Sequence, residues 1–322
     1  MQAGGGARRR FVIALGGNAI LPVGKRGTFA EQVEVTRRTT DQVADLARAG
    51  HEIVMCHGNG PVVGNIVLRG EAGERLHGIP AMPMFVCGAD SQGGLGFLLQ
   101  QTLQNSLRQV GLECPVASVI TQVRVDPADP AFSQPTKPIG PFYSEAQARI
   151  LERENGWTVV QDAGRGWRRV VPSPQPLAVV EWPALKALLD AGVIVIAVGG
   201  GGIPVVRQSD GQLQGVDAVI DKDLASDLLG RLVGADTLVL VTQIEKVFVR
   251  FGQPDAEALD VLSTDRAREL FEQGEFPAGS MGPKIQAALS FLEHGGREVI
   301  ITDPGSLLAA VAGTAGTRIV AG

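Results

Sequence analysis

The chain has 322 residues, 44% hydrophobic and 20% charged, with a formal net charge of −5. That length suffices for two domains or one large α/β domain with a substantial core, and the composition is neither that of a disordered chain nor of a membrane protein. The longest purely apolar run, 193–198, is too short to span a bilayer, and the negative balance argues against nucleic acid as partner while leaving a small anionic substrate open.

Along the chain, the start "MQAGGGARRRF" has no apolar stretch of the kind a secretory leader carries, and its arginines read as a solvated leader. "RFVIAL" (10–15), "EIVMC" (52–56), "VASVIT" (116–121), "VIVIAV" (193–198), "TLVLVT" (237–242) and "EVIIT" (298–302) read as strands. They are continuously apolar, as in a parallel sheet covered on both faces. Helical stripes lie between them, one through Val33, Thr36, Thr40, Val43 and Ala47 closed by Gly50, another through Ile285, Ala288, Leu289 and Leu292 closed by Gly295. This alternation predicts a three-layer α/β/α sandwich on an open, mainly parallel sheet. The proline-dense segment 125–176 breaks the rhythm and predicts a protruding insert, with "WTVVQ" and "WRRVV" as a hairpin around "DAGRG". A domain change is expected near Gly215, giving units 1–215 and 216–322.

Cys56, Cys87 and Cys114 are odd in number, widely spaced and set in apolar segments, the usage of a reducing cytoplasm. No Cys or His cluster has zinc spacing, so no side chains are nominated as metal ligands.

Three strands run into glycine turns, "ALGGNA", "CHGNGP" and "AVGGGGIP". Ligands bind outside the carboxyl ends of strands in such sheets, and glycine lets backbone N–H groups approach an anion. Two lysines are oddly placed. Lys222 opens a helix between Asp221 and Asp223, and Lys284 follows Gly279, Ser280, Gly282 and Pro283, with Pro283 as a good first helical residue. A cation opposes the helix dipole at an N-terminus. Either Asp221 or Asp223 caps its helix while Lys222 points into water, or both lysines face a bound polyphosphate.

Common alternatives are missing: GxGxxG after a strand, GxxxxGK[ST], HRD, DFG and GxSxG. The order and spacing of "ALGGNA", "HGNGP", "PTKPIGPF", "GGGGIPV", "VIDKDLAS" and "GSMGPK" resemble the carbamate kinase family of the amino acid kinase fold, from Phe11 to Val320. The resemblance implies reversible phosphoryl transfer between ATP and carbamate with Mg²⁺, run toward ATP in arginine breakdown, by a cytoplasmic homodimer acting on small molecules only. It implies that the first unit holds carbamate and the second the nucleotide. Gly16, Gly17, Asn18, Gly58, Asn59, Gly200 and Gly201 are then expected around carbamate and the transferring phosphoryl group. Lys222 and Lys284 would neutralise phosphate oxygens, Asp223 would organise them, and Lys137 would reach down from the insert. Thr242, Phe248, Gly279, Met281 and Pro283 are expected on the nucleotide side.

Carbamate is already an anionic nucleophile, so such a site requires no general base. His57 then reads as structural, with a hydrogen bond to substrate as its other possible role. Val62, Gln243 and Phe248 depart from the family pattern, the last two on the nucleotide side. Two other readings are a kinase of the same fold for another small acid and an inactive nucleotide sensor.

Overall fold

The computed structural model describes residues 7–21, 27–161, 166–277 and 279–322, and for Asn18 the backbone alone. Strand β1 (Arg10–Leu15) passes through a tight turn (Gly17–Ala19) to α1 (Phe29–Arg48), and β2 (Glu52–His57) leads to α2 (Gly60–His77) and α3 (Met84–Gln109). Next come β3 (Val116–Ser118) and β4 (Gln122–Arg124), then the insert with β5 (Lys137–Tyr143), α4 (Glu145–Asn155), β6 (Thr158–Gln161) and β7 (Trp167–Val171). The chain returns through β8 (Ala178–Val179), α5 (Trp182–Asp190), β9 (Ile194–Ile196), β10 (Ile203–Arg207) and β11 (Leu213–Gly215). It ends with α6 (Lys222–Val233), β12 (Thr237–Val241), β13 (Val247–Val249), β14 (Glu257–Leu259), β15 (Val261–Ser263), α7 (Thr264–Glu272), α8 (Met281–Glu293), β16 (Glu298–Thr302), α9 (Leu307–Val311) and β17 (Thr317–Val320).

The main sheet runs β15-β17-β16-β12-β1-β2-β9-β3. Every neighbouring pair in it is parallel except β16 with β17. Central β1 shows why its sequence is apolar throughout. Phe11, Ile13 and Leu15 pack with residues of α1, α3 and α9, while Val12 and Ala14 pack with residues of α5 to α8. Each fully buried Ile, Leu or Phe contributes about 1.5–3 kcal/mol, so both layers are held by the same short strands. Helix α1 starts in a capping box between Thr28 and Glu31, and Gly50 follows its end at φ +89°.

Two expectations need correction. The strand expected over 116–121 stops at Ser118, because Thr121 gives its N–H to Gln92 Oε1 (2.7 Å) and its hydroxyl to Val119 O, and residues 122–124 join a second sheet, β11-β10-β4-β8. Of the arginines at 8–10, Arg8 is solvated as expected at 72% exposed, but Arg9 and Arg10 are not: Arg9 pairs with Glu298 at 2.5 Å and is only 25% exposed, and Arg10 pairs with Glu52 at 2.5 Å. The insert is a separate antiparallel sheet, β5-β7-β6. Its hairpin forms as expected, with turn residues 162–165 outside the described residues. Ile139 and Val171 seat it against Val63, Met84, Cys87 and Val219.

Candidate active site

Four adjacent strands of the main sheet end at one cleft. After β1, Gly16 N–H donates to Val241 O (2.9 Å), and after β2, Gly58 N–H donates to Leu15 O (2.7 Å), so the turns are tied to one another. The turn after β9 is the tightest. Gly200 has φ +67°, and a Cβ there would stand 2.2 Å from Asn59 Nδ2, so only glycine fits beside the Asn59 amide. Just before it, Val198 takes φ +47°, a strained conformation for a β-branched residue, and its N–H is held by Thr121 Oγ1 at 3.2 Å. Gln92 supports the same turn by donating to Gly199 O (2.9 Å), and Ser91 orients Asn59 by accepting from Nδ2 (2.9 Å).

The two lysines converge on one carboxylate. Lys222 Nζ bonds Asp223 Oδ1, and Lys284 Nζ bonds Asp223 Oδ2 at 3.0 Å. Both lysine side chains are largely enclosed, 13% and 12% exposed, and Asp223 is buried. Burial works against charge on Asp223, but the two ammonium groups more than offset it and hold the carboxyl far below the usual carboxylate range. Burial likewise opposes charge on Lys222, and the Asp223 charge and hydrogen bond outweigh it, so its pKa rises. Asp223 and Lys222 therefore stay ionised at neutral pH.

Asp221 is the N-cap of α6, accepting from Asp223 N–H at 2.8 Å through Oδ1, while its Oδ2 takes Lys137 Nζ from β5 at 2.5 Å. The capping reading is thus right for Asp221, whereas Lys222 turns into the cleft rather than into water.

The cleft, about 510 Å³, is lined by Gly16, Gly17, Gly58, Asn59, Gly200, Lys137, Asp221, Lys222, Asp223, Gly279 and Lys284. Arg168 on β7 and Gln243 after β12 also line it, although nothing in the sequence pattern singled out Arg168. Gly201 lies just behind, its Cβ position blocked at 2.2 Å by Ile220 O, and the side chain of Asn18 lies outside the described residues. An adjoining cavity of about 410 Å³ shares Thr242, Gln243, Ser280 and Lys284 with the cleft, and is walled by Ile244, Phe248, Phe251, Phe276 and Met281. Pro283 lines neither cavity, and it is not the first helical residue: α8 begins at Met281, two positions earlier, with Ser280 as N-cap. Its absent N–H is equally harmless there, since the whole first turn lacks intrahelical acceptors.

His57 is buried under the glycine turn, where a Cβ on Gly199 would come within 2.4 Å of its Nε2. Burial lowers its pKa to about 4, so the ring is neutral and packs rather than exchanging protons. A further cleft, about 610 Å³, opens at the amino ends of the strands, where Arg8 and Arg10 both pair with Glu52.

A parallel sheet with glycine turns and an ion-paired lysine clamp at one cleft defines an α/β phosphoanion-binding protein. The sequence profile of the "Amino acid kinase family" matches residues 9–303. Carbamate kinase of Thermococcus kodakarensis is 49% identical over 97% of this chain and 99% of its own, and that of Pyrococcus furiosus 47% over 97% and 99%. The solved carbamate kinase of Giardia lamblia bound to AMP-PNP superposes with a TM-score of 0.89 at 40% identity, over 98% of this chain and 99% of that one. The chain belongs to the amino acid kinase family and, within it, to the carbamate kinases.

Proposed function

We propose that the protein catalyses ATP + carbamate ⇌ ADP + carbamoyl phosphate, the reaction for which its relatives of nearly half-identical sequence are named. The observation that carries the reading is the Asp223 clamp, which holds two ammonium groups at glycine turns where phosphoryl oxygens can sit. In the ATP-consuming direction a carbamate oxygen attacks the γ-phosphorus, an O–P bond forms as the bond to the β-phosphate oxygen breaks, and ADP leaves with that electron pair. No proton need move. The barrier is then lowered by alignment and by neutralising the equatorial oxygens, the tasks of Lys222 and Lys284.

Carbamate lies against the turns at Gly16, Gly17, Gly58, Asn59 and Gly200, backed by Gly201, with Lys137 above it. The nucleotide enters the aromatic-walled cavity, lined by Thr242, Phe248 and Met281, with Gly279 on the cleft side and Phe248 and Phe251 offering apolar area to a base. The binding of AMP-PNP by the Giardia lamblia relative supports that half of the reading. Mg²⁺ is part of the nucleotide substrate in this reading. Asp221 and Asp223 are both engaged by lysines, and among the described residues no group of three His, Cys, Asp or Glu side chains converges. The same reading takes 1–215 as the carbamate unit and 216–322 as the nucleotide unit of a cytoplasmic homodimer serving arginine catabolism. Among the described residues no helix is long and apolar enough to cross a membrane.

The test is coupled ATP formation from ADP and carbamoyl phosphate, run beside acetyl phosphate and a panel of amino acids with ATP. Turnover with carbamoyl phosphate, weak turnover with acetyl phosphate and no useful rate with glutamate or N-acetylglutamate are expected, since turns that close on a small planar anion leave little space for a substrate side chain. Efficient phosphorylation of an amino acid, or no turnover at all, overturns the reading.

A further inference from the structure

Besides its apolar seat, the insert meets α2 at a close backbone-to-backbone contact. Gly64, buried on α2, faces Gly140 of β5 so closely that a Cβ on Gly64 would stand 2.7 Å from Gly140 Cα and 3.0 Å from its nitrogen. Gly140 itself has φ +70°, and the ladder with β7 slips here: Ile139 pairs with Arg169, but the next pair is Tyr143 with Trp167. Four steps along β5 therefore face two along β7, which is a bulge that bends the strand. Arg168 fastens the bend from the cleft side, donating from Nη2 to Gly140 O at 3.1 Å with its guanidinium 5.2 Å from the Phe142 ring.

Both ends of this arrangement point into the site. Lys137 begins the strand that bends at Gly140, and α2 begins at Gly60, inside the turn that carries Gly58 and Asn59. Two main chains in contact have no side-chain compliance between them, so their separation is set by the missing Cβ atoms. We infer that Gly64 is a positioning residue: its contact with Gly140 fixes the height of Lys137 above the substrate turn. The inference rests on the reading of Lys137 as a substrate-facing cation.

Gly64→Ala is the direct test, because the added methyl must push β5 outward, and misplacing a catalytic group by about 1 Å can cost on the order of 10²-fold. The expected result is a fall of at least about tenfold in kcat/KM for carbamoyl phosphate, with KM for ADP within about twofold of wild type. A role in stability alone would lower Tm without dividing the two substrates in this way. The Gly64→Ala/Lys137→Ala double variant should be no slower than Lys137→Ala, because the two changes act through one group. Should Gly64→Ala fail to fold, Gly140→Ala, whose methyl meets nothing within 4 Å but strains the bend at φ +70°, is held to the same comparison. Wild-type kinetics in Gly64→Ala, equal losses toward both substrates, or losses that multiply in the double variants overturn the seat. A silent Lys137→Ala overturns the reading of Lys137 and the seat with it, whereas an impaired Lys137→Ala beside an unaffected Gly64→Ala overturns the seat alone.

Discussion

Lys137 of the insert and Asp221 at the start of α6 are 84 positions apart in sequence and joined by an ion pair at 2.5 Å. Because Asp221 also caps the helix that carries Lys222 and Asp223, the insert is linked through one carboxylate to the lysine clamp. Two functions of Asp221, capping and holding Lys137, use its two different oxygens.

Lys137→Ala is expected to lower kcat/KM for carbamoyl phosphate by about 10²-fold, the cost of one preorganised charged donor. Asp221 keeps its cap bond in that variant, so α6 and ADP binding should stay as they are. Steady-state kinetics with each substrate varied, together with sedimentation, separates this from a role of the insert in assembly. Unchanged kinetics would remove Lys137 from the site.

Lys222→Ala and Lys284→Ala should each cost roughly 10²–10³-fold in kcat. Asp223→Asn should be damaging in a second way. It leaves two enclosed ammonium groups without their counter-charge, and breaking a buried pair costs about 3–5 kcal/mol. Urea unfolding is therefore expected to show a large loss for Asp223→Asn, and an Asn variant as stable as wild type would contradict the clamp.

The layers were legible in the sequence because strands buried on both faces must be apolar at every position, as Phe11 to Leu15 are. The glycine turns were legible because Gly200 meets Asn59 at a distance no side chain allows. What stayed hidden was pairing at a distance. Asp221 reads as a cap, and the local pattern carries no trace of Lys137 arriving from another sheet. Arg168 sits in a strand that alternates no differently from an ordinary hairpin, so its place in the cleft depends on the bulge at Gly140. Pro283 was placed two residues off because proline is favoured at the first helical position yet tolerated through the first turn.

His57 sets a pH dependence of stability. Its folded pKa of about 4 lies below the ordinary 6.5, so between those values the unfolded chain binds more protons than the folded one. The stability tied to the neutral ring is complete above pH 6.5 and is lost as the pH falls through 4. In urea unfolding at pH 7 and pH 5, the margin of wild type over His57→Gln should shrink by about 1.4 kcal/mol per pH unit within that window. Catalysis at neutral pH should show no titration of this ring. A margin that does not change with pH would mean that the imidazole is not held neutral in the fold.

Cys56 lies one shell from the clamp, its Sγ 2.7 Å from Ser226 Oγ, yet it should be chemically silent. It is fully buried, and burial pushes its thiol up to about 11 despite the hydrogen bond with Ser226 and the nearby Lys222 charge. The thiolate is the reactive form, so at pH 8 only a trace is present, and it is out of reach of reagent. Cys87 is buried as well, and Cys114, which is partly exposed, borders the cleft at the amino ends of the strands rather than the site. Iodoacetamide at pH 8 is therefore expected to label Cys114 first, with ATP-forming activity retained, and to reach Cys56 only in denaturant. Peptide mapping alongside the activity assay gives both readings from one sample. Rapid inactivation that ADP protects against, with label on Cys56, would show that the strand beneath Lys222 opens far more readily than its burial allows.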